Sequence, residues 1–244
     1  MRGEPAQVII DDVTGLPIPA DSEIVLVGWM LPDKLLPEGP FGEWTGYYAS
    51  KQRAEPVFRV DRIYYRNDPI ILGSPPQRPP SDHAYCSNLI RSALLENELA
   101  RVGVPDVRGV WAAEAGLHPF FVVSIKQRYA GHARQAGFLA SQMRKGAAYL
   151  GRYVIVVDED IDPTDINDVI WAICFRADPE KDIDIIRRAW SSPLDPLIRK
   201  PAEAYFNSRA IIDATKPFEW INEFPPAISF SPEITERVQR KWQL

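Results

Sequence analysis

Proline sets the first limit on what this chain can become. Its 244 residues include 23 prolines, gathered in LPIPA, SPPQRPP, SSPLDP and EFPPAISFSP. Each proline fixes φ, removes a backbone donor and pushes the residue before it away from the helical region. Helices must stop at these points, and the fold must contain several ordered, proline-stiffened connections. Between them no apolar run approaches the roughly 20 residues that a bilayer-crossing helix needs. The first residues, MRGEPAQVII, lack the apolar core of a signal peptide. The expectation is a soluble, cytoplasmic protein with no membrane partner.

With 45% apolar residues, the chain can bury one large core or two modest ones. A net charge of -5 without a dense Lys/Arg run argues against a nucleic-acid partner. QMRKGAAYLGR carries several positive charges, but an exposed helix face accounts for them. Cys86 and Cys174 are far apart in apolar contexts and read as buried free thiols, not as a disulfide framework. His83, His118 and His132 are too widely spaced for a zinc site.

The region before SPPQRPP is β-like. SEIVLVGWML (22–31) reads as a buried strand, PVFRVDRIYY (56–65) as a loosely alternating one, and DPIILGS (68–74) as a third. Three strands are too few to close a barrel, so part of this sheet is expected elsewhere. Ser81 or Asp82 can cap a helix over 83–103 that ends at Gly103. An α/β pattern follows. Strands are expected at 107–113, 119–127, 152–161 and 207–215, and helices at 132–151, 164–177 with Thr164 as N-cap, and 178–192. Ser231 and Pro232 open a terminal helix over 231–244. The acid run DEDIDPTDIND (158–168) lacks the order and central glycine of an EF-hand and reads as a solvated loop.

The segment PEGPFGEWTGYY (37–48) carries the chemistry. Glu38 and Glu43 flank Gly39, Pro40, Phe41 and Gly42, and Trp44, Tyr47 and Tyr48 follow. Proline restricts one φ while the glycines permit unusual ones. A rigid loop could thus hold two acids against an apolar wall. Desolvation there would raise a carboxylate's pKa and let it exchange protons at neutral pH. Acids beside glycines are also common in plain surface turns, and the residues alone leave that reading open.

EGPFGEWTGYY resembles the EGPFGE signature of UbiD-type enzymes, which include ferulic acid decarboxylases. SEIVLVG, VDRIYYRNDPIIL, RPPSDHAYC, DEDIDPTDINDVIWAICFRADP, SSPLDP and NSRAIIDAT are similar to further blocks of that family in the same order, across residues 5–230. The resemblance implies a mixed α/β fold. Residues 1–80 would be the trailing part of a split β-barrel that binds flavin, 81–103 a linker helix, 104–230 an α/β oligomerisation domain and 231–244 a terminal helix against a neighbouring subunit.

It also implies prenylated FMN as cofactor and non-oxidative decarboxylation, or the reverse carboxylation, of an aromatic or α,β-unsaturated acid. Glu43 would protonate the carbon that loses CO2, Glu38 would belong to an acid–arginine–acid network, and Trp44 would line the substrate pocket. Arg209 stands where the family usually has lysine and would contact the cofactor, as its phosphate partner; its planar fork differs from a point donor. The family's network arginine, the ligands of its divalent metal (Mn or Mg, with K+ as an optional further ion) and most of the flavin wall come from an N-terminal half. The expected partners are therefore copies of this chain, as a dimer or hexamer, or a subunit bearing that half. The competing expectation is a non-catalytic assembly subunit or relic that keeps the oligomerisation domain.

Overall fold

PFFVVSIKQ and RYVIVVDEDI supply the two innermost strands, because their unbroken β-branched and aromatic runs suit strands covered on both faces. The computed structural model describes residues 4–48, 51–117, 119–143, 151–192, 194–198 and 206–242. They contain β1 (Val8–Ile10), β2 (Pro17–Pro19), β3 (Ile24–Glu38), β4 (Arg53–Tyr65), α1 (Asp82–Arg101), β5 (Val107–Ala112), β6 (Phe120–Ile125), α2 (His132–Gln142), β7 (Tyr153–Asp158), α3 (Ile166–Arg176), β8 (Ile183–Trp190), β9 (Phe206–Ala214) and α4 (Pro232–Trp242). Two units divide them. The first comprises Met1–Ile90, Glu114–Leu117 and Arg187–Ser208; the second comprises Arg91–Ala113, His118–Ile186 and Arg209–Leu244.

The second unit is built on a five-stranded sheet in the order β5-β6-β7-β9-β8. β5 runs antiparallel to β6, while β6, β7 and β9 are parallel neighbours. Alternation along the central strands separates two cores. Phe121, Val123, Ile125, Val154 and Val156 pack with Leu95 and Leu99 of α1 and Ala133, Ala136 and Ala140 of α2. Val122, Ile155 and Val157 pack with Val169 and Ala172 of α3 and Ala214. The small residues of α2 let it approach closely: a Cβ on Gly137 would collide with the Ile211 side chain and lie 3.2 Å from Val156 Cγ2. α1 begins where Ser81 Oγ accepts from Ala84 N–H. It ends at Gly103, at φ +86°, where Val104 N–H reaches back to the Leu99 carbonyl, a Schellman closure.

The first unit holds a β1–β2 hairpin and the long antiparallel ribbon of β3 and β4. The ribbon's register shifts at Val27/Gly28 and again between Leu31 and Leu35. The second irregularity accommodates Pro32, which cannot donate to the ladder. Asp11 in the hairpin turn accepts from Thr14 and, at 2.6 Å, from the Tyr64 hydroxyl of β4.

Several expectations are corrected. β3 is long but mostly exposed, with Val27 its one fully buried residue, because a two-stranded ribbon leaves both faces uncovered. Segment 68–74 forms no strand; it is held by Ile70 N–H donating to Glu23, while Ile70 and Leu72 are 82% and 89% exposed. The predicted helix over 178–192 is a turn at Asp178–Asp182 followed by strand β8. There the edge next to β9 captures the β-branched stretch IDII. Asp165, not Thr164, caps α3 through Asn167 N–H, while Thr164 donates to Asp162. Both cysteines are free but exposed, on α1 and α3, not buried. Residues 144–150, the end of the predicted helix 132–151, and His118 lie outside the described residues.

Candidate active site

The signature segment grows out of the end of β3. Glu38 is the last residue of that strand, opposite Arg53, and its side chain is exposed. Gly39 then takes φ +82°, which a residue with a Cβ rarely adopts. Glu43 is half-buried and locked from both ends of its peptide unit. Its N–H donates to the Tyr47 carbonyl at 3.0 Å, and its carbonyl accepts from Gly46 N–H at 2.8 Å. Gly46, at φ +80°, lies under the proline-rich segment: a Cβ there would come within 2.8 Å of Arg78 Cα. The turn from Glu43 to Tyr47 is therefore shaped by its own bonds and by the backbone of SPPQRPP.

Trp44 is half-buried beside Glu43, and the Thr45 hydroxyl is buried with no hydrogen-bond partner among the described residues. Phe41, Tyr47 and Tyr48 are exposed, so this chain alone does not build the dry aromatic wall expected around the acids. The structure brings Glu38, Glu43 and Trp44 onto one hairpin end.

Arg209 sits on β9 in the second unit. Its side chain is almost fully buried, and burial lowers its pKa to about 10. A guanidinium of this kind can hold a phosphate group with its planar fork. Among the described residues no set of three or more His, Cys, Asp or Glu side chains could hold a metal ion. His132 is fully buried at the start of α2, stacked on Tyr129, and burial lowers its pKa.

The acid run departs from the solvated loop expected of it. Asp158, buried at the end of β7, accepts from Gln127 Nε2, Lys216 N–H and Arg176. Asp160 takes both Arg176 Nη atoms, at 2.9 and 3.0 Å, and Lys216 Nζ at 2.7 Å. Burial works to raise Asp160, but the hydrogen bonds and charges of Arg176 and Lys216 outweigh it and hold its carboxyl at about 2. Burial pushes Asp158 the other way, upward, against the bonds from Lys216 and Gln127. Sequence reading missed this cluster because the partners lie 16 and 56 residues downstream of Asp160.

Two family models match the chain: the Rift-related domain of 3-octaprenyl-4-hydroxybenzoate carboxy-lyase over residues 1–79, and the C-terminal domain of the same family over 84–214. The chain belongs to the UbiD family. Among relatives of this UbiD chain, uncharacterized proteins of Aeropyrum pernix and Aquifex aeolicus are each 32% identical over 93% and 98% of it. The chain spans about half the length of these relatives, 46% and 48%.

Solved structures agree. HmfF from Pelotomaculum thermopropionicum, a UbiD-class enzyme in complex with FMN, is 28% identical with a TM-score of 0.81, over 98% of this chain and 51% of its own. Vanillic acid decarboxylase of Sedimentibacter hydroxybenzoicus is 31% identical with a TM-score of 0.76, over the same shares. The mixed α/β architecture is thus that of one half of a UbiD-class enzyme. Among the described residues β3 and β4 form a two-stranded ribbon and no closed sheet.

Proposed function

We propose that this chain supplies the acid-bearing half of a prenylated-FMN-dependent decarboxylase acting on an aromatic or α,β-unsaturated carboxylic acid. The observation that carries the reading is the pinned turn at Glu43, at the end of a ribbon whose signature is the family's. Residues 1–80 would be the trailing part of a split barrel, whose remaining strands and flavin wall come from a second polypeptide or segment. The helix over 81–103 would link it to an oligomerisation domain at 104–230, with 231–244 reaching a neighbouring copy.

In this reading Glu43, protonated, gives its proton to the carbon that has lost CO2, so a C–C bond is replaced by a C–H bond. Glu38 orients the substrate through a network completed outside this chain, and Trp44 forms one wall of the pocket. Arg209 holds the cofactor phosphate with a planar fork in place of a lysine's point charge. When bound, the prenylated flavin supplies the electron sink for decarboxylation. The divalent metal and K+ would be held by residues of the other half.

The test is co-expression of this chain with a polypeptide matching the remaining half of its relatives and with a supply of prenylated flavin. Glu43→Gln should abolish CO2 release while the complex keeps its size by gel filtration. Unchanged turnover in that variant removes the proton-donor role. A complex that forms and binds flavin but never releases CO2 from a panel of aromatic acids favours the assembly-subunit reading.

A further inference from the structure

The parallel strands β6, β7 and β9 end side by side, and open α/β sheets bind ligands at this carboxyl edge. At this edge the second unit has a cavity of about 260 Å3, walled by Gln127 after β6, Gly131 and Arg134 at the start of α2, Lys181 before β8, and Asp213 and Lys216 at the end of β9. That volume lies just below the roughly 300 Å3 at which drug-sized ligand pockets begin, so its occupant must be small.

Two kinds of charge face this space. Asp213 is one of three acids in this lining, with Asp182 and Glu219. Its hydrogen bonds come from Thr215, N–H at 3.1 Å and Oγ1 at 2.7 Å, both onto Oδ1. No lysine or arginine ion-pairs with it among the described residues. Burial, with the like charges of Asp182 and Asp158 behind it, holds its carboxyl above the ordinary range despite the Thr215 bonds. A cation placed against Oδ2 would relieve both effects.

Asp182 and Glu219 also line the cavity on the acidic side, and the remaining charged walls are basic. Arg134 pairs with Asp184 at 3.0 Å, and Lys181 pairs with Asp178 at 2.8 Å, all partly exposed. Such pairs exchange readily for a better-placed anion. Arg176 and Lys216, by contrast, are committed to Asp158 and Asp160. α2 opens at Gly131 with φ +83° and no side-chain cap, and a Cβ there would meet nothing within 4 Å, so the cavity is open at that residue.

The geometry points to a small zwitterion of the α-amino acid class as the ligand of this cavity, with its ammonium against Asp213 and its carboxylate against Arg134 and Lys181. A neutral or singly charged molecule would leave one wall unanswered. The site uses none of the residues assigned to decarboxylation, so its failure would not touch that reading.

Thermal unfolding of the full chain against a panel of proteinogenic amino acids tests this. A binder at ten times its Kd should raise Tm by about 4 °C for a chain of this length. The best binder is then compared with its analogues lacking the amino or the carboxyl group; each should need at least about tenfold higher concentration for the same shift. Lys181→Gln, an exposed change that leaves the fold intact, should weaken the amino acid but not the descarboxy amine. Asp213→Asn should weaken the amino acid but not the desamino acid. No saturable shift with any amino acid overturns the inference, as does equal binding by both analogues or an unchanged shift in Lys181→Gln.

Discussion

Replacing Arg176 by methionine tests the internal architecture of the second unit most directly. The Arg176 side chain is 2% exposed and spans Asp158, at 8%, and Asp160, at 41%. Its Cζ also lies 5.1 Å from the Trp171 ring centroid. Removing one partner of a buried ion pair costs about 3–5 kcal/mol, because the stranded charge stays in a poor solvent. Here the stranded acids keep other donors: Gln127 and Lys216 N–H on Asp158, and Lys216 Nζ on Asp160. Methionine also retains much of the apolar stem. The loss should therefore fall at the low end, about 3 kcal/mol, and lower Tm by roughly 6–12 °C at this chain length.

Urea unfolding gives the free energy independently. Asp160→Asn, at a half-exposed site, should cost only about 1 kcal/mol. Combining Arg176→Met with Asp158→Asn should recover about 1–2 kcal/mol of the sum of the two single losses, since the uncompensated acid is gone. A loss below about 1 kcal/mol in Arg176→Met, or strict additivity in the double variant, refutes the view that this cluster is an interdependent buried network.

Three further outcomes are expected. Gly137→Ala should destabilise by about 1–2 kcal/mol in urea, since overlap with Ile211 and Val156 outweighs alanine's better helix propensity; stabilisation would mean that α2 can move off the sheet freely. Hydrogen bonds from the Thr14 and Tyr64 hydroxyls hold Asp11 at about 2, below its ordinary 3.8. The lowered folded-state value means a contribution fully present above pH 3.8 and lost as pH falls toward 2, so Tyr64→Phe should lose more stability at pH 6 than at pH 2.5, and an equal loss at both would contradict the assignment. Ile234, Val238 and Trp242 line one exposed stripe of α4, so Val238→Asp should leave urea stability within about 0.5 kcal/mol while lowering the mass seen in sedimentation; unchanged mass would remove α4 from assembly.

The sequence made legible those elements whose signals are local. The runs around Phe121–Ile125 and Val154–Val157 admit little but buried strands, and Ser81 and Gly103 mark the two ends of α1 by their capping chemistry. β8 was hidden because DIDIIRRAW satisfies a helical and an extended period equally, and only the free edge next to β9 decides between them. Ile70, Ile71 and Leu72 have strand composition but find no strand partner among the described residues. Asp158 and Asp160 read as solvated because Arg176 is separated from them by α3 itself. The same limit applies to the candidate site: the glycines and Pro40 announce a shaped turn, but not what covers it.

That distinction bears on how a proton donor could work here. General acid catalysis by a glutamate at neutral pH needs a fixed position and a dry surrounding. Position is intrinsic to this chain, through the Glu43–Tyr47 and Gly46–Glu43 hydrogen bonds and the close approach of Arg78 to Gly46. Dryness is not, since Phe41, Tyr47 and Tyr48 beside it are 58%, 64% and 76% exposed and the β3–β4 ribbon bares Trp29, Met30, Leu35 and Leu36. An apolar surface of this kind suits a face covered by a partner or by a further segment of chain. Under the proposed function, covering it would bury the ribbon and dry the surroundings of Glu43 in one event. Proton transfer would then be coupled to assembly, because the free chain fixes the position of the acid but leaves its surroundings wet.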